Sequence, residues 1–248
     1  MSHNTKVALV TGSAKRIGAE IARHLHAANF NLVIHYHHSA AEALALVDEL
    51  NNIRTNSAVA VKADLNNHEQ LIALAKHASE KWQGIHLLVN NASSFYPTPF
   101  GKAGGDDWDN LIGSNLKAPY FLAQELAPQL TTAAGCIINI ADIYAEKPLR
   151  NHSIYSIAKA GNLMLTKSLA QELAPRVRVN GIAPGAILWP EQENKLSDED
   201  KEKMLCKIPL QQRGQAQDIA KAILFLVNDA PYVTGQILAV DGGRSLTI

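Results

Sequence analysis

Seven short runs of Val, Ile, Leu and Ala recur along the chain: "KVALVT", "NLVIHY", "AVAVKADL", "HLLVNNAS", "GCIINIAD", "VRVNGIAPG" and "QILAVDGG". Between them lie longer stretches whose apolar residues fall three and four apart, the period of a helix with one buried face. The strand-like runs do not alternate apolar with polar, so both of their faces need cover. Strands of that kind separated by helices predict an α/β fold, a doubly wound parallel sheet of about seven strands with helices on both faces. No linker or repeat divides the chain, so the expectation is a single domain over residues 1–248. Sheets of this type bind ligands outside the carboxyl ends of their strands, which places the functional residues just after each apolar run. One segment breaks the rhythm. Residues 188–206, "LWPEQENKLSDEDKEKMLC", are polar, acidic and interrupted by Pro190, and read either as a lid over a substrate or as a solvated surface excursion.

Composition narrows the partners. Lys plus Arg and Asp plus Glu number 23 each in 248 residues, so no global field favours nucleic acid or an anionic membrane, and any anion site must be built locally. Cys136 and Cys206 form no CxxC pair, which suits a reducing compartment and makes the cytoplasm the expected location. No apolar run reaches the roughly 18 to 20 residues needed to span a bilayer, and nothing near Met1 has the pattern of an export signal.

The first apolar run leads into "TGSAKRIG", a strand, a glycine turn and a helix start. Gly12 permits the tight turn and Gly18 the close packing of helix on sheet, as in a dinucleotide cradle. Arg16 stands where such turns carry a middle glycine. With Lys15 it adds positive charge to a helix N-terminus that is already positive, an arrangement that anticipates a phosphate. We assign Arg16 to the ligand and Lys15 to solvent. At the end of the second strand, about 20 residues on, NAD-binding folds place a carboxylate for the ribose 2′-hydroxyl. Here the chain reads "HYHHSA". His35, Tyr36, His37 and Ser39 offer donors to a 2′-phosphate where a carboxylate would repel it, so NADPH is the expected cofactor. His38 belongs either to the same group or to the surface. A metal site made of these histidines ranks lower, because no Cys or acidic ligand stands at useful spacing. Asp64 and Leu65 close the third strand where the adenine would lie.

The strongest chemical signal is "SIYSIAKAG", which sets Tyr155 and Lys159 four apart on one helical face. A phenol titrates near ~10, and a neighbouring ammonium favours its phenolate, so Tyr155 becomes a usable acid or base near neutrality. Lys159 also has the reach to hold the nicotinamide ribose. The strand "GCIINIAD" delivers Asp142 to the same sheet edge, where burial would raise its pKa and Lys159 would lower it. Asn115, in "LIGSNLKAPYF", is either a satisfied core amide or the anchor of a water in the proton path.

Taken in order, "TGSAKRIG", "NNAS", Asn115, "YSIAK", "RVNGIAPG" and "VTGQILAVDGG" resemble the short-chain dehydrogenase/reductase family over essentially the whole chain. Three departures coincide: Arg16 for the middle glycine, Asp142 for the usual catalytic serine, and "NNASSFYPTPF" for a plain NNAG. Together these resemble the pteridine reductases. The resemblance implies a Rossmann-like fold and transfer of hydride from NADPH to a C=N bond of a dihydropterin or dihydrofolate, or of the oxidised ring. Asp142, Tyr155, Lys159 and Asn115 would be its catalytic set. It implies that the whole turn, with Ser13, Ala14 and Ile17, lies against the cofactor, joined by Asn91, Ala92 and Ser93 and later by Pro184, Gly185 and Ala186. Arg16 would bridge pyrophosphate and pterin. Phe95 would cover the bicyclic ring, Ser93 would bond both ligands, and Leu188 and Trp189 would touch the substrate tail. Trp189 stands where many family members have Thr, and His38 where an arginine is common. The family also implies a homotetramer, with helices around Leu111–Leu130 and Tyr155–Leu173 as interfaces. Two alternatives remain: a reductase of a ketone or acyl-carrier-linked carbonyl, and a non-catalytic dinucleotide sensor, for which intact Tyr155, Lys159 and Asn115 would be unnecessary.

Overall fold

A computed structural model describes residues 5–187 and 198–247, without the side chains of residues 198 and 201. Seven strands form one parallel sheet: β1 (Val7–Val10), β2 (Asn31–Tyr36), β3 (Ala58–Lys62), β4 (Leu87–Asn90), β5 (Cys136–Ile140), β6 (Arg178–Pro184) and β7 (Ile237–Val240), in the order β3-β2-β1-β4-β5-β6-β7. The register follows from burial. Leu9 pairs with Val33 on one side and Leu88 on the other, and every residue of β1 is buried because successive side chains enter opposite cores.

Ala8 and Val10 face the layer of α1 (Arg16–Ala27), α2 (Ala40–Ile53) and the late helix Ala216–Leu224. Val7 and Leu9 face the layer of α3 (His68–Lys81) and the helix Ala118–Thr132. Ile21 and Leu25 on α1, and Leu122 and Leu126 opposite them, are fully buried, each worth about 1.5–3 kcal/mol against exposure. The chain steps outward from β1 to β3 and then restarts at β4 on the other side of β1. The loops after β1 and β4 therefore diverge and leave a crevice at the carboxyl edge.

One expectation about helices needs correction. The region Leu111–Leu130 is not one regular helix: α4 (Gly105–Ile112) passes through a π-helical turn, Gly113–Lys117, into α5 (Ala118–Thr132). A Cβ on Gly113 would strike the side chain of Asn66, and Pro119, at the first turn of α5, brings no N–H to extend the preceding pattern. Residues 188–197 of the expected lid lie outside the described residues, and with them Leu188 and Trp189. The remainder is helix α7 (Asp198–Cys206), between α6 (Ser153–Glu172) and α8 (Ala216–Leu224). Glu199 and Lys203 pair at 2.7 Å on its surface, the i,i+4 arrangement of a solvated helix. Among the described residues no helix is long and apolar enough to cross a membrane.

Candidate active site

The turn after β1 is shaped by its neighbours. Asn91 Nδ2 donates to the carbonyls of Thr11 and Gly12 at 2.8 and 3.0 Å, and Ser13 Oγ donates back to Val10 O at 2.7 Å. Gly12 sits at φ +61, and a Cβ there would come within 2.9 Å of Ala92 Cα. At Gly18 a Cβ would meet the carbonyl of Gly12 and come within 2.7 Å of Asn91 Nδ2, so α1 packs this closely only without one.

Arg16 opens α1 at φ 57. It retains the left-handed backbone that glycine adopts at low cost, at about 1–2 kcal/mol for a residue with a side chain. No side chain caps α1, and its first turn holds no acid. Lys15 and Arg16 are exposed, and neither makes an ion pair among the described residues. Free helix N–H groups, a cradle too tight for a Cβ and two unpaired cations fit a dinucleotide pyrophosphate.

From this turn a cleft of about 1090 Å³ runs along the carboxyl edge of the sheet. Its near end is lined by His37, His38, Asp64, Leu65 and Asn66. The His37 and His38 rings stand 3.6 Å apart, and His37 Nε2 lies 4.0 Å from Asp64 Oδ2. His35 does not serve as a phosphate donor. Its Nδ1 accepts from Gly12 N–H at 3.0 Å, so its proton is on Nε2, which faces Ala63 O at 3.1 Å. Burial holds its pKa near 4. His35 is thus a neutral strut beneath the glycine turn, although it still borders the cleft. Ser13, Ala14, Tyr36 and Ser39 lie outside the cleft wall: Ser13 and Ala14 are buried, Tyr36 packs against the core, and Ser39 precedes α2. Ile17, Asn91, Ala92, Ser93, Pro184, Gly185 and Ala186 line it.

The far end gathers the titratable groups. Asp142 follows β5, and a short 3₁₀ turn, Ile143–Ala145, fixes its carboxylate: Tyr144 N–H donates to Oδ1 at 2.8 Å and Tyr155 O–H to Oδ2 at 2.6 Å. Burial raises the Asp142 pKa and outweighs these bonds and the charge of Lys159, which resolves the competition posed by the sequence. Lys159 is buried, donates to Ile140 O at 2.8 Å, and is brought down to about 8 by desolvation.

The expected easing of the Tyr155 phenol is reversed. Lys159 Nζ lies 5.7 Å from the ring centroid, while burial and then the Asp142 charge push the phenol well above 10. Tyr155 is therefore a proton donor and not a phenolate. Asn115 occupies the π-helical turn. Its Nδ2 donates to Ser94 O and Leu111 O at 2.9 and 3.0 Å, and its Oδ1 accepts from Ser93 Oγ at 2.7 Å. Phe95 is 55% exposed at the mouth, stacked on His152 and edge-on to Tyr155, both at 4.8 Å between centroids.

The structure adds residues that the sequence reading passed over. Asn110, next to the π-helical turn, ties Asn66, Ser94 and Tyr96 together by side-chain hydrogen bonds. Tyr144 and Arg244 complete the far wall, together with Met204 from the segment expected as a lid. Arg244 follows the "VDGG" turn after β7, so the rule that ligands lie beyond strand ends was a sufficient signal for it. The assembly can seat an extended dinucleotide from β3 to β5 and present a protonated phenol–carboxyl pair beside its end.

Comparison with known proteins agrees with this architecture. A family model described as enoyl-(acyl carrier protein) reductase matches residues 12–245. The chain is 38% identical to pteridine reductase 1 of Leishmania tarentolae, over 99% of this chain and 98% of that protein. It is 37% identical to the 3-oxoacyl-[acyl-carrier-protein] reductase FabG of Staphylococcus aureus, over 96% and 98%, and 35% identical to nodulation protein G of a Rhizobium species, over 96% of both. With the parallel sheet, the glycine turn and the Tyr155–Lys159 pair in one frame, the chain is an oxidoreductase of the short-chain dehydrogenase/reductase family, whose reductases use nicotinamide dinucleotides.

Proposed function

We propose that this protein is an NADPH-dependent pteridine reductase, reducing a C=N bond of a dihydropterin or dihydrofolate to the tetrahydro form. The observation that carries the reading is the buried Asp142 carboxyl, hydrogen-bonded at 2.6 Å by Tyr155, at the place where a carbonyl reductase of this family would use a serine. Hydride reduction of an imine leaves a ring nitrogen that must gain a proton, and an acid serves that need better than a hydroxyl. His37 and His38, which stand after β2 where an NAD-binding fold places a carboxylate, support a 2′-phosphate and hence NADPH, although Asp64 Oδ2 lies 4.0 Å from His37 Nε2.

In this mechanism the bound nicotinamide supplies the hydride. The α1 N-terminus and Arg16 hold the pyrophosphate, and the Arg16 fork reaches on to the pterin edge. Phe95 covers the flat ring and excludes water from one face. Asp142, whose burial favours the protonated carboxyl, gives its proton to the ring nitrogen beside the reduced carbon, and Tyr155, which keeps its own proton, donates its hydroxyl to the carboxylate left behind. Lys159, held by Ile140 O, keeps positive charge beneath the pair and stabilises it once the proton has left. Asn115 holds the Ser93 hydroxyl toward the reacting groups.

The decisive experiment is a panel with NADPH against dihydrobiopterin, dihydrofolate, folate, simple ketones and an acetoacetyl thioester. Preference for the pterins, lost about 100-fold or more in Asp142→Ser, is the expected outcome. The second reading, reduction of an acyl-carrier-linked carbonyl, has the FabG relative in its favour, and a preference for the thioester would establish it instead. We further propose a homotetramer. Exposed Ile157 and Met164, one heptad apart on α6, with Tyr120 on α5 and Leu238 on the edge strand β7, supply apolar faces for it, and light scattering of the purified protein tests it.

A further inference from the structure

At the far end of the cleft stands a cation that the proposed reaction does not use. Arg244 lies in the cleft wall and is only 9% exposed, and its Nη1 is shielded from solvent with no hydrogen-bond partner. No ion pair neutralises its side chain among the described residues. The nearest acid in sequence is spent elsewhere: Asp241 accepts from Gly243 N–H at 2.8 Å and Ser245 N–H at 2.7 Å, which closes the turn at the end of β7. Asp142 is committed to Tyr155 and Tyr144.

The turn itself is rigid. Gly242 and Gly243 have positive φ, and Cβ atoms there would strike Ile208 and Pro209 at 2.8 Å. Lys147 Nζ also donates to Ser245 O at 2.8 Å. A fixed backbone thus carries a guanidinium into a wall where nothing offsets its charge. A buried cation without a partner is costly, so this arrangement fits one whose counter-charge arrives with a ligand.

The sheet order says which ligand. Phosphates at the α1 N-terminus follow β1, and β7 lies four strands away, about 20 Å at the usual strand spacing. The cofactor's charges belong to the β1–β3 half, and Arg244 sits beyond the reacting groups on the opposite side. We infer that Arg244 is a specificity-determining residue that anchors an anionic substituent of the substrate, a carboxylate carried on the tail of the reducible ring. This rests on the reading of the reaction given above and deepens it: a ring with a carboxylate tail, as in dihydrofolate, is favoured over one with a neutral tail.

The test compares wild type, Arg244→Gln and Arg244→Lys on dihydrofolate and on dihydrobiopterin, whose tail is uncharged. The ratio of kcat/KM for dihydrofolate to that for dihydrobiopterin falls about 10- to 100-fold in R244Q, chiefly through KM, and recovers in part in R244K. The tail fragment p-aminobenzoylglutamate competes with dihydrofolate and raises the Tm of wild type but not of R244Q. A parallel loss on both substrates, or no loss on either, overturns the inference. So does a change of oligomeric state in R244Q, which would give the cation to a subunit contact.

Should wild type reduce neither pterin, the reading of the reaction fails separately from this one. The anion anchor is then tested by the fragment and by acetoacetyl coenzyme A against the phosphate-free acetoacetyl N-acetylcysteamine thioester. Selective loss of the charged ligand in R244Q retains the anchor with phosphate as its partner, and equal behaviour overturns it.

Discussion

Arg16 combines two features that oppose folding: a side chain at φ 57 and a cation at a helix N-terminus that already holds Lys15. Backbone strain kept at such a place points to a ligand that uses the side chain. Arg16→Gly removes the strain and the repulsion, and gives back part of the gain because glycine orders at greater entropic cost. Urea unfolding of the cofactor-free variant therefore shows a gain of about 1 kcal/mol, while fluorescence titration shows NADPH affinity down by about 10-fold or more. Loss of stability together with unchanged affinity would make Arg16 a structural residue. Tyr155 separates binding from chemistry in the complementary way. Tyr155→Phe keeps the ring against Phe95 but deletes the donor to Asp142, so kcat falls by about 10² to 10⁴ while the NADPH Kd measured by fluorescence stays within about threefold. Weakened cofactor binding with a retained rate per bound enzyme would contradict the proton role.

At the level of elements, the strands were legible because each is a short apolar run with no polar face, a pattern that only a doubly covered sheet satisfies. Long helices were legible as periodic segments, but the π-helical turn was not. The turn spans only five residues, and Asn66, against which Gly113 packs with no room for a Cβ, comes from a loop far off in sequence. That turn decides the site, since it directs Asn115 at Ser93 and Ser94 and leaves Asn115 O to accept from Asn162 Nδ2 at 3.1 Å. His35 was misread for a related reason. A histidine at a strand end looks like a donor for phosphate until Gly12 N–H and Ala63 O occupy both ring nitrogens. Gly18, by contrast, was read correctly as the close contact of helix and sheet. A methyl there has no room between Gly12 O and Asn91, so Gly18→Ala costs about 1–3 kcal/mol in urea unfolding and displaces the N-terminus of α1 enough to weaken NADPH by at least 10-fold in titration. A well-folded variant with full affinity would show that the helix can shift without moving the cradle.

Across the whole molecule the net formal charge is zero, so the response to pH comes from a few buried groups that the field of the surface does not dominate. His35 has a folded pKa near 4 against an ordinary 6.5. Its neutral form is the one the fold prefers, so its contribution is complete above about 6.5 and is lost as pH falls toward 4, about 3 kcal/mol in all. Asp142 has the opposite sign. Its raised pKa favours the protonated form in the folded state, so its contribution is present at low pH and is lost as pH rises through the folded value. Lys159, near 8 against 10.5, is depressed like His35, and the folded protein is relieved of a buried ammonium only as pH climbs from about 8. On the acid side His35 and Asp142 therefore oppose each other in the cofactor-free protein. Asp142→Asn, neutral at every pH, removes the compensating term, so its stability falls more steeply than that of wild type between pH 7 and pH 4. His35→Asn removes the titration beneath the glycine turn and flattens the same limb, from a lower starting stability because Gly12 N–H loses its imidazole acceptor. Urea midpoints of the three proteins at several pH values in this window check both signs at once, and curves that run parallel would show that neither buried group governs the acid limb.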